Sequence, residues 1–345
     1  MTLWDEILEQ PAVLDRLRRT EADNVARLAG LMRGPGVRYV LVAGRGTSDN
    51  AARYAQYLWG ARNRLVVALA APSLFGPYGS PPDLDGAVVV AISQSGQSPD
   101  VVSVVAEARS QGRPTIAITN DPDSPMAAAG DEVLALHAGE ERAIAATKTY
   151  TAELLAVAML SAAVAGDRVM DAELAALPDR VEAVLAQSDR VRDASGSLAD
   201  VDRAVVLGRG YNLCTAFEWA LKLQEMSGVL AQPFSAADLE HGPIAVIEEG
   251  FPVFAAVAPG PLAEEVGRLL RGLREERRAR LVLLADSAHS ADLGDPMIAL
   301  PPGVPEWLSP VPATAGAQLV SYHLSAARGF DPDAPRHLRK VTRTR

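Results

Sequence analysis

The chain holds one cysteine, Cys214, in 345 residues, which excludes a disulfide framework and fits a reducing compartment. It has no excess of basic charge: 33 Lys and Arg stand against 43 Asp and Glu, a net charge of −10. A general nucleic-acid or membrane-surface binder would carry a basic footprint, so neither partner is expected. The N-terminus, Met-Thr-Leu-Trp-Asp-Glu, is charged and helical and lacks the basic flank and apolar core of a signal peptide. The longest apolar run, 154–165, contains Ser161, is too short to span a bilayer and reads as a buried helix. His137, His241, His289, His323 and His337 show no metal-ligand spacing, and no Ser-His-Asp or P-loop motif appears. The expectation is a soluble cytoplasmic protein that requires no metal or organic cofactor, long enough for two domains with separate cores.

What is present is alternation. Residues 2–33 read as amphipathic helices broken near Pro11 and stopped by Gly34-Pro35-Gly36. Apolar runs at 39–43, 65–70, 87–92, 115–119 and 132–136 then alternate with helical segments starting near Thr47, Ser98 and Ser124 and a long one over 149–165. Such alternation means an α/β fold, a parallel sheet with helices on both faces. Residues 167–201 read as a helical linker in which Pro178 divides two charged segments. The pattern then repeats: Arg38-Tyr-Val-Leu-Val-Ala-Gly-Arg-Gly resembles Arg203-Ala-Val-Val-Leu-Gly-Arg-Gly, Gly86 to Ile92 resembles Gly250 to Ala256, and 281–285 answers 115–119. Two duplicated parallel-sheet domains are expected at 37–166 and 202–330, flanked by N-terminal helices at 1–36 and a tail at 331–345.

The loops between these elements carry the candidates. Ser93-Gln94-Ser95-Gly96, after a buried strand and before a helix opened by Ser98 and Pro99, is an uncharged turn rich in hydroxyls. It is either an anion site, where backbone N–H groups and the helix dipole favour a phosphate, or an ordinary Ser/Gly turn. The second copy has Val257-Ala258-Pro259-Gly260 there, which removes the hydroxyls and one backbone donor. Gly44-Arg45-Gly46-Thr47-Ser48 lacks the third glycine of a dinucleotide fingerprint, since Asp49 occupies it, so no nicotinamide or flavin is expected. Ser48 is either a helix cap or a second donor at the same sheet edge. The stretch 138–148, with Glu140 and Glu141, reads by itself as a solvated connection. Glu218, Lys222 and Glu225 share one helical face, either as a surface ion-pair ladder or, given Trp219, Leu221 and Leu223, as a partly buried set able to exchange protons. His241, where a helix ends against Gly242-Pro243, is a dipole partner or an acid/base group. Cys214 reads as packing. The basic tail around Lys340 is a solvated end or brings an amine to a carbonyl substrate.

Taken together, Gly-Thr-Ser at 46–48, Ser-Gln-Ser-Gly at 93–96, Ala-Thr-Lys at 146–148, Ala-Leu-Lys-Leu-Gln-Glu at 220–225 and His-Gly-Pro at 241–243 resemble the SIS (sugar isomerase) family. Within it they resemble the double-SIS isomerase half of glucosamine–fructose-6-phosphate aminotransferase, over nearly the whole chain from Val37. The resemblance implies two flavodoxin-like SIS domains. It implies that Ser48, Ser93, Gln94, Ser95 and Ser98, with Gly46, Thr47 and Ile144 beside them, bind a hexose or hexosamine 6-phosphate. It implies that Glu225 moves a proton between C1 and C2, that His241 assists ring opening and that Lys340 meets the open-chain carbonyl. Lys222 and Glu218 match further positions of that helix. Family members pair their subunits so that the histidine comes from the neighbouring chain, which implies a homodimer with shared active sites. Two departures stand out: the chain opens without a nucleophilic cysteine or a glutaminase domain, and Ala146 replaces a serine that contacts the sugar. These features turn the expectation toward the SIS-type glucosamine-6-phosphate deaminases and related amino-sugar isomerases, with a deglycase of a substituted substrate or a non-catalytic sugar-phosphate sensor as alternatives.

Overall fold

The computed structural model describes residues 2–286, 292–294, 296–335, 338 and 340; His289 and His337 lie outside the described residues. Two compact units are present, and neither is a contiguous stretch. The first comprises Ala12–Glu141, Lys148–Ala176 and Arg339–Arg345; the second comprises Met1–Pro11, Arg142–Thr147 and Leu177–Leu338.

The first unit contains helices α2 (Gln10–Thr20) and α3 (Ala22–Met32), and then strands β1 (Tyr39–Ala43), β2 (Val66–Leu69), β3 (Ala87–Ile92), β4 (Thr115–Thr119) and β5 (Glu132–Ala135). All strand pairs are parallel, in the order β2-β1-β3-β4-β5. β3 and β4 are buried at every residue, as strands covered on both faces must be. Alternate residues Leu41, Ala43, Ala87, Val89 and Ala91 meet Val101, Val104, Val105 and Ala108 of α5 (Pro99–Ser110) and Met126 of α6 (Pro125–Ala129). α4 (Thr47–Asn63) packs with α7 (Lys148–Ala165), which also packs with α3; α8 (Arg168–Ala175) follows it. α7 is long and apolar enough to cross a membrane by composition, but 83% of it is buried inside the protein, as the core of a folded domain requires.

The second unit contains α1 (Leu3–Leu8), α9 (Leu177–Leu185), α10 (Ser188–Ser195) and strands β6 (Arg203–Gly208), β7 (Leu230–Ser235), β8 (Pro252–Val257), β9 (Arg280–Ala285) and β10 (Ile298–Ala299). Their order is β10-β9-β8-β6-β7, again parallel throughout. Read from the other edge this is the order of the first sheet, 2-1-3-4-5, the flavodoxin-like arrangement. The duplication expected from the repeated strand sequences is therefore real. α11 (Leu213–Ser227) packs against β6, β7 and α14 (Pro310–Ala327), and Trp219 meets Phe254 of β8 edge to face at 5.1 Å. α13 (Ala263–Glu275) supplies Val266, Leu269, Leu270 and Leu273 to the core on the β8 and β9 side. α12 (Ala236–Glu240) is a single short turn after β7.

Candidate active site

In the first unit the candidate anion loop runs from the carboxyl end of β3 into α5. Its backbone is tied from the residues that follow β4: the Gln94 carbonyl accepts from Asn120 N–H at 3.1 Å and the Gly96 carbonyl from Met126 N–H of α6 at 3.0 Å. Gly96 is required here, with φ at +60° and the Ser124 side chain where a Cβ would stand. Inside the loop, Gly96 N–H donates to Ser93 Oγ at 3.1 Å and Gln97 N–H to Ser95 Oγ at 3.3 Å. Both hydroxyl oxygens are thus used as acceptors, and each hydroxyl keeps its own proton as a donor, the role an anion needs. Ser98 has the backbone geometry of an N-cap and Pro99 follows it, but its hydroxyl does not cap α5. In that first turn the Val101 N–H donates instead to Asp100 Oδ1 at 3.0 Å.

The turn after β1 lies beside this loop. Gly46 is the N-cap of α4, Thr47 its first residue and Ser48 its second. Ser48 is buried and caps nothing; its hydroxyl donates to the buried Glu153 of α7 at 2.8 Å. Arg45 joins the two turns, its Nε 2.5 Å from the buried Asp100 carboxylate. Neither Arg45 nor Glu153 was singled out in sequence, because each partner is remote along the chain.

Lys340 lies with the same unit. Its Nζ is 2.7 Å from Glu141 Oε2, and the Glu141 side chain is fully buried. Glu141 also accepts from Thr149 N–H at 3.1 Å and the Thr149 hydroxyl at 2.8 Å. The solvated connection expected at 138–148 is therefore wrong for Glu141, whose contacts take it out of water.

In the second unit α11 presents Glu218, Lys222 and Glu225. Lys222 Nζ is 3.2 Å from Glu218 Oε1 and 2.6 Å from Glu225 Oε2. The side chains of Glu218 and Lys222 are 1% exposed and that of Glu225 23%. A surface ladder is thereby excluded for the first two residues, on a helix that packs against α14 and the sheet. Burial pushes the Lys222 ammonium down, but the two carboxylates outweigh it and hold the group above its ordinary value. The arrangement is a buried cation clamped by one buried and one accessible carboxylate, and Glu225 is the member that a ligand can reach. Cys214 is buried and donates to the Tyr211 carbonyl at 3.1 Å, a packing role.

His241 is exposed and follows the last residue of α12, its N–H donating to the Asp238 carbonyl at 3.2 Å. Among the described residues it makes no hydrogen bond or ion pair with the α11 triad. Ile144 is half-buried in the segment 142–147. That segment is pinned by Glu6 of α1, a buried carboxylate that accepts from the N–H groups of Arg142 and, at 3.2 Å, Ala143.

The model of the SIS domain matches residues 37–163 and 197–328. Glutamine–fructose-6-phosphate aminotransferase (isomerizing) of Pyrococcus horikoshii is 35% identical over 97% of the chain and 56% of its own length. The chain thus spans about half the length of the curated relatives it matches. The C-terminal domain of glucosamine-fructose-6-phosphate aminotransferase from Francisella tularensis superimposes with a TM-score of 0.88 at 26% identity, covering 96% of this chain and 97% of that one. Glucosamine-6-phosphate deaminase from Thermotoga maritima shares the fold, with a TM-score of 0.80 at 24% identity and 99% of both chains covered.

Proposed function

We propose, from the premise that the chain belongs to the SIS-domain family, that it is a sugar-phosphate isomerase acting on hexosamine 6-phosphates. The favoured reaction is glucosamine 6-phosphate plus water to fructose 6-phosphate plus ammonia. The observation that carries the chemistry is the α11 triad: a buried lysine fixes an accessible carboxylate, Glu225, as a proton acceptor of defined position. On the open-chain substrate Glu225 takes the C2 proton, giving an enolamine, and returns it to C1. The resulting C2 imine is hydrolysed, so that water supplies the ketone oxygen and nitrogen leaves as ammonia.

Remote binding energy positions that chemistry. The hydroxyls of Ser93 and Ser95, with Gln94, Ser98 and the Gly46-Thr47-Ser48 turn, hold the phosphate; Ile144 contacts the sugar. The reading of His241 as the residue that assists ring opening in the site of a second copy, and hence of a homodimer, is supported by its exposure on this chain. Lys340 meets the open-chain carbonyl. Ala146, half-buried in the segment held by Glu6, supports a second reading, in which the missing hydroxyl leaves room for a substituted amino sugar such as a fructosamine 6-phosphate.

The test is a coupled assay of ammonia release from glucosamine 6-phosphate, run beside a panel of amino-sugar phosphates. Turnover that survives Glu225→Gln undiminished removes that residue from the mechanism. Absence of turnover with every hexosamine phosphate rejects the reaction, and tight hexose phosphate binding without chemistry would identify a sensor instead.

A further inference from the structure

We infer that Glu141 is a positioning residue that sets where Lys340 stands. The inference rests on the functional reading for its consequence in catalysis, but its structural half stands on geometry alone. Two features make the pair asymmetric. The Glu141 side chain is fully buried and is already fixed by two hydrogen bonds to Thr149, in the first turn of the 18-residue α7. A carboxylate at that place is also favoured by the positive end of the helix dipole. The Lys340 side chain keeps 24% of its surface exposed and stands on a four-carbon stem with high rotamer freedom. Glu141 cannot follow Lys340; Lys340 must come to Glu141.

The consequence is a defined location for an otherwise free amine. A lysine meant to reach a carbonyl must be held near one point, since misplacement by about 1 Å is enough to cost a large factor in rate. The 2.7 Å contact to Glu141 Oε2 supplies that point, while Glu141 itself takes no part in bond making. The carboxylate lies 199 residues from its lysine along the chain.

The experiment compares the full chain with E141Q, K340Q and the E141Q/K340Q double variant. Hydrogen exchange of the peptide covering 331–345 is followed without substrate. Release of a half-buried ion pair should raise exchange about tenfold in each single variant. The double variant should exchange no faster than either single one, because both act on one contact. Wild-type exchange in E141Q, or additive effects in the double variant, overturns the inference. With glucosamine 6-phosphate, E141Q should lower kcat about tenfold at nearly unchanged KM, and should add nothing in the K340Q background. E141D, which keeps the charge, should recover part of the loss. A KM effect alone, or an E141Q loss that persists without Lys340, overturns the catalytic half. If no amino-sugar phosphate is turned over, the functional reading fails while the exchange experiment still decides the contact. If E141Q does not fold, K340Q removes the same pair from its exposed side and must by itself raise tail exchange.

Discussion

Replacement of Lys222 by methionine separates the buried part of the α11 triad from the part that is accessible. Methionine keeps most of the stem volume, so the cavity contribution is small. What changes is charge. Glu218 has a 1% exposed side chain and loses an ammonium 3.2 Å away. Breaking a buried pair by removing one partner costs about 3–5 kcal/mol, because the remaining charge is left desolvated. For a domain of this size that corresponds to a fall in Tm of roughly 6–20 °C. Glu218→Gln should cost less than this but more than Glu225→Gln, since Lys222 loses its fully buried partner and keeps Glu225 at 2.6 Å. Glu225→Gln should cost only about 1 kcal/mol, because its side chain is 23% exposed and the Lys222–Glu218 pair persists. In an ammonia-release assay the order reverses: Glu225→Gln should lose at least about a hundredfold in kcat while remaining folded. Urea titration and thermal melts of the three variants decide the matter. A Lys222→Met protein within about 1 kcal/mol of the parent would refute the claim that Glu218 depends on this cation. Equal destabilisation by Glu218→Gln and Glu225→Gln would refute the division of labour.

Other outcomes follow from the same geometry. In Gly44→Ala the new Cβ would lie 2.7 Å from the Ser48 carbonyl oxygen; the start of α4 must move, and a fall of about 1–3 kcal/mol in urea stability is expected together with a raised KM for the sugar phosphate. Ser93→Ala and Ser95→Ala each remove a donor to the phosphate and should raise KM about 10- to 100-fold at nearly constant kcat, measured by initial rates. Burial, and after it Arg192, push the His323 imidazole below its ordinary value of 6.5, with Asp189 opposing. The unfolded chain therefore takes up this proton first, so the contribution of His323 is complete above pH 6.5 and is lost as pH falls from there through the folded value. The Tm should drop between pH 7 and 5, and His323→Asn should flatten that slope.

Much of the fold was legible because parallel strands covered on both faces read as unbroken apolar runs. β1, β3 and β4 begin and end at the expected residues. The edge strands β7 and β10 did not stand out. β7 carries Gln232 and Pro233 and is exposed at alternate positions, which an edge strand tolerates and an interior one does not; β10 is two residues long. In the site, α11 was visible as a spacing of four and three, but spacing alone does not distinguish a ladder in water from a clamp under α14. The contacts that distinguish them are long-range. Ser48 reaches Glu153 across 105 residues, Glu6 reaches Arg142 across 136 and Lys340 reaches Glu141 across 199. No local pattern announces such pairs, and a carboxylate in a small-residue loop looks the same whether it will face water or a helix N-terminus.

The second sheet shows how the turn that corresponds to the candidate anion loop differs from it. Loss of the hydroxyls at Val257-Ala258-Pro259-Gly260 removes donors, but a turn before the 13-residue α13 still offers a helix dipole. The structure closes that opportunity in a second way. The Glu306 carboxyl lies against Gly260, 2.5 Å from where a Cβ would stand, and Glu306 also lines the small cavity bounded by Arg209, Asn212, Val257 and Ala258. That cavity measures about 10 Å³, room for about one water molecule. A carboxylate at its wall repels a second anion electrostatically as well as by occupancy. Arg209, at the position of Arg45 in the repeat, is bound instead to Glu265 at 3.1 Å and to Ser235 at 3.2 Å. The second turn therefore lacks the hydroxyls, is filled by a carboxylate and pairs its arginine with Glu265, where Arg45 of the first turn pairs with Asp100. The two repeated turns thus differ at the level of individual side chains: one is uncharged and rich in hydroxyls, the other is occupied by a carboxylate.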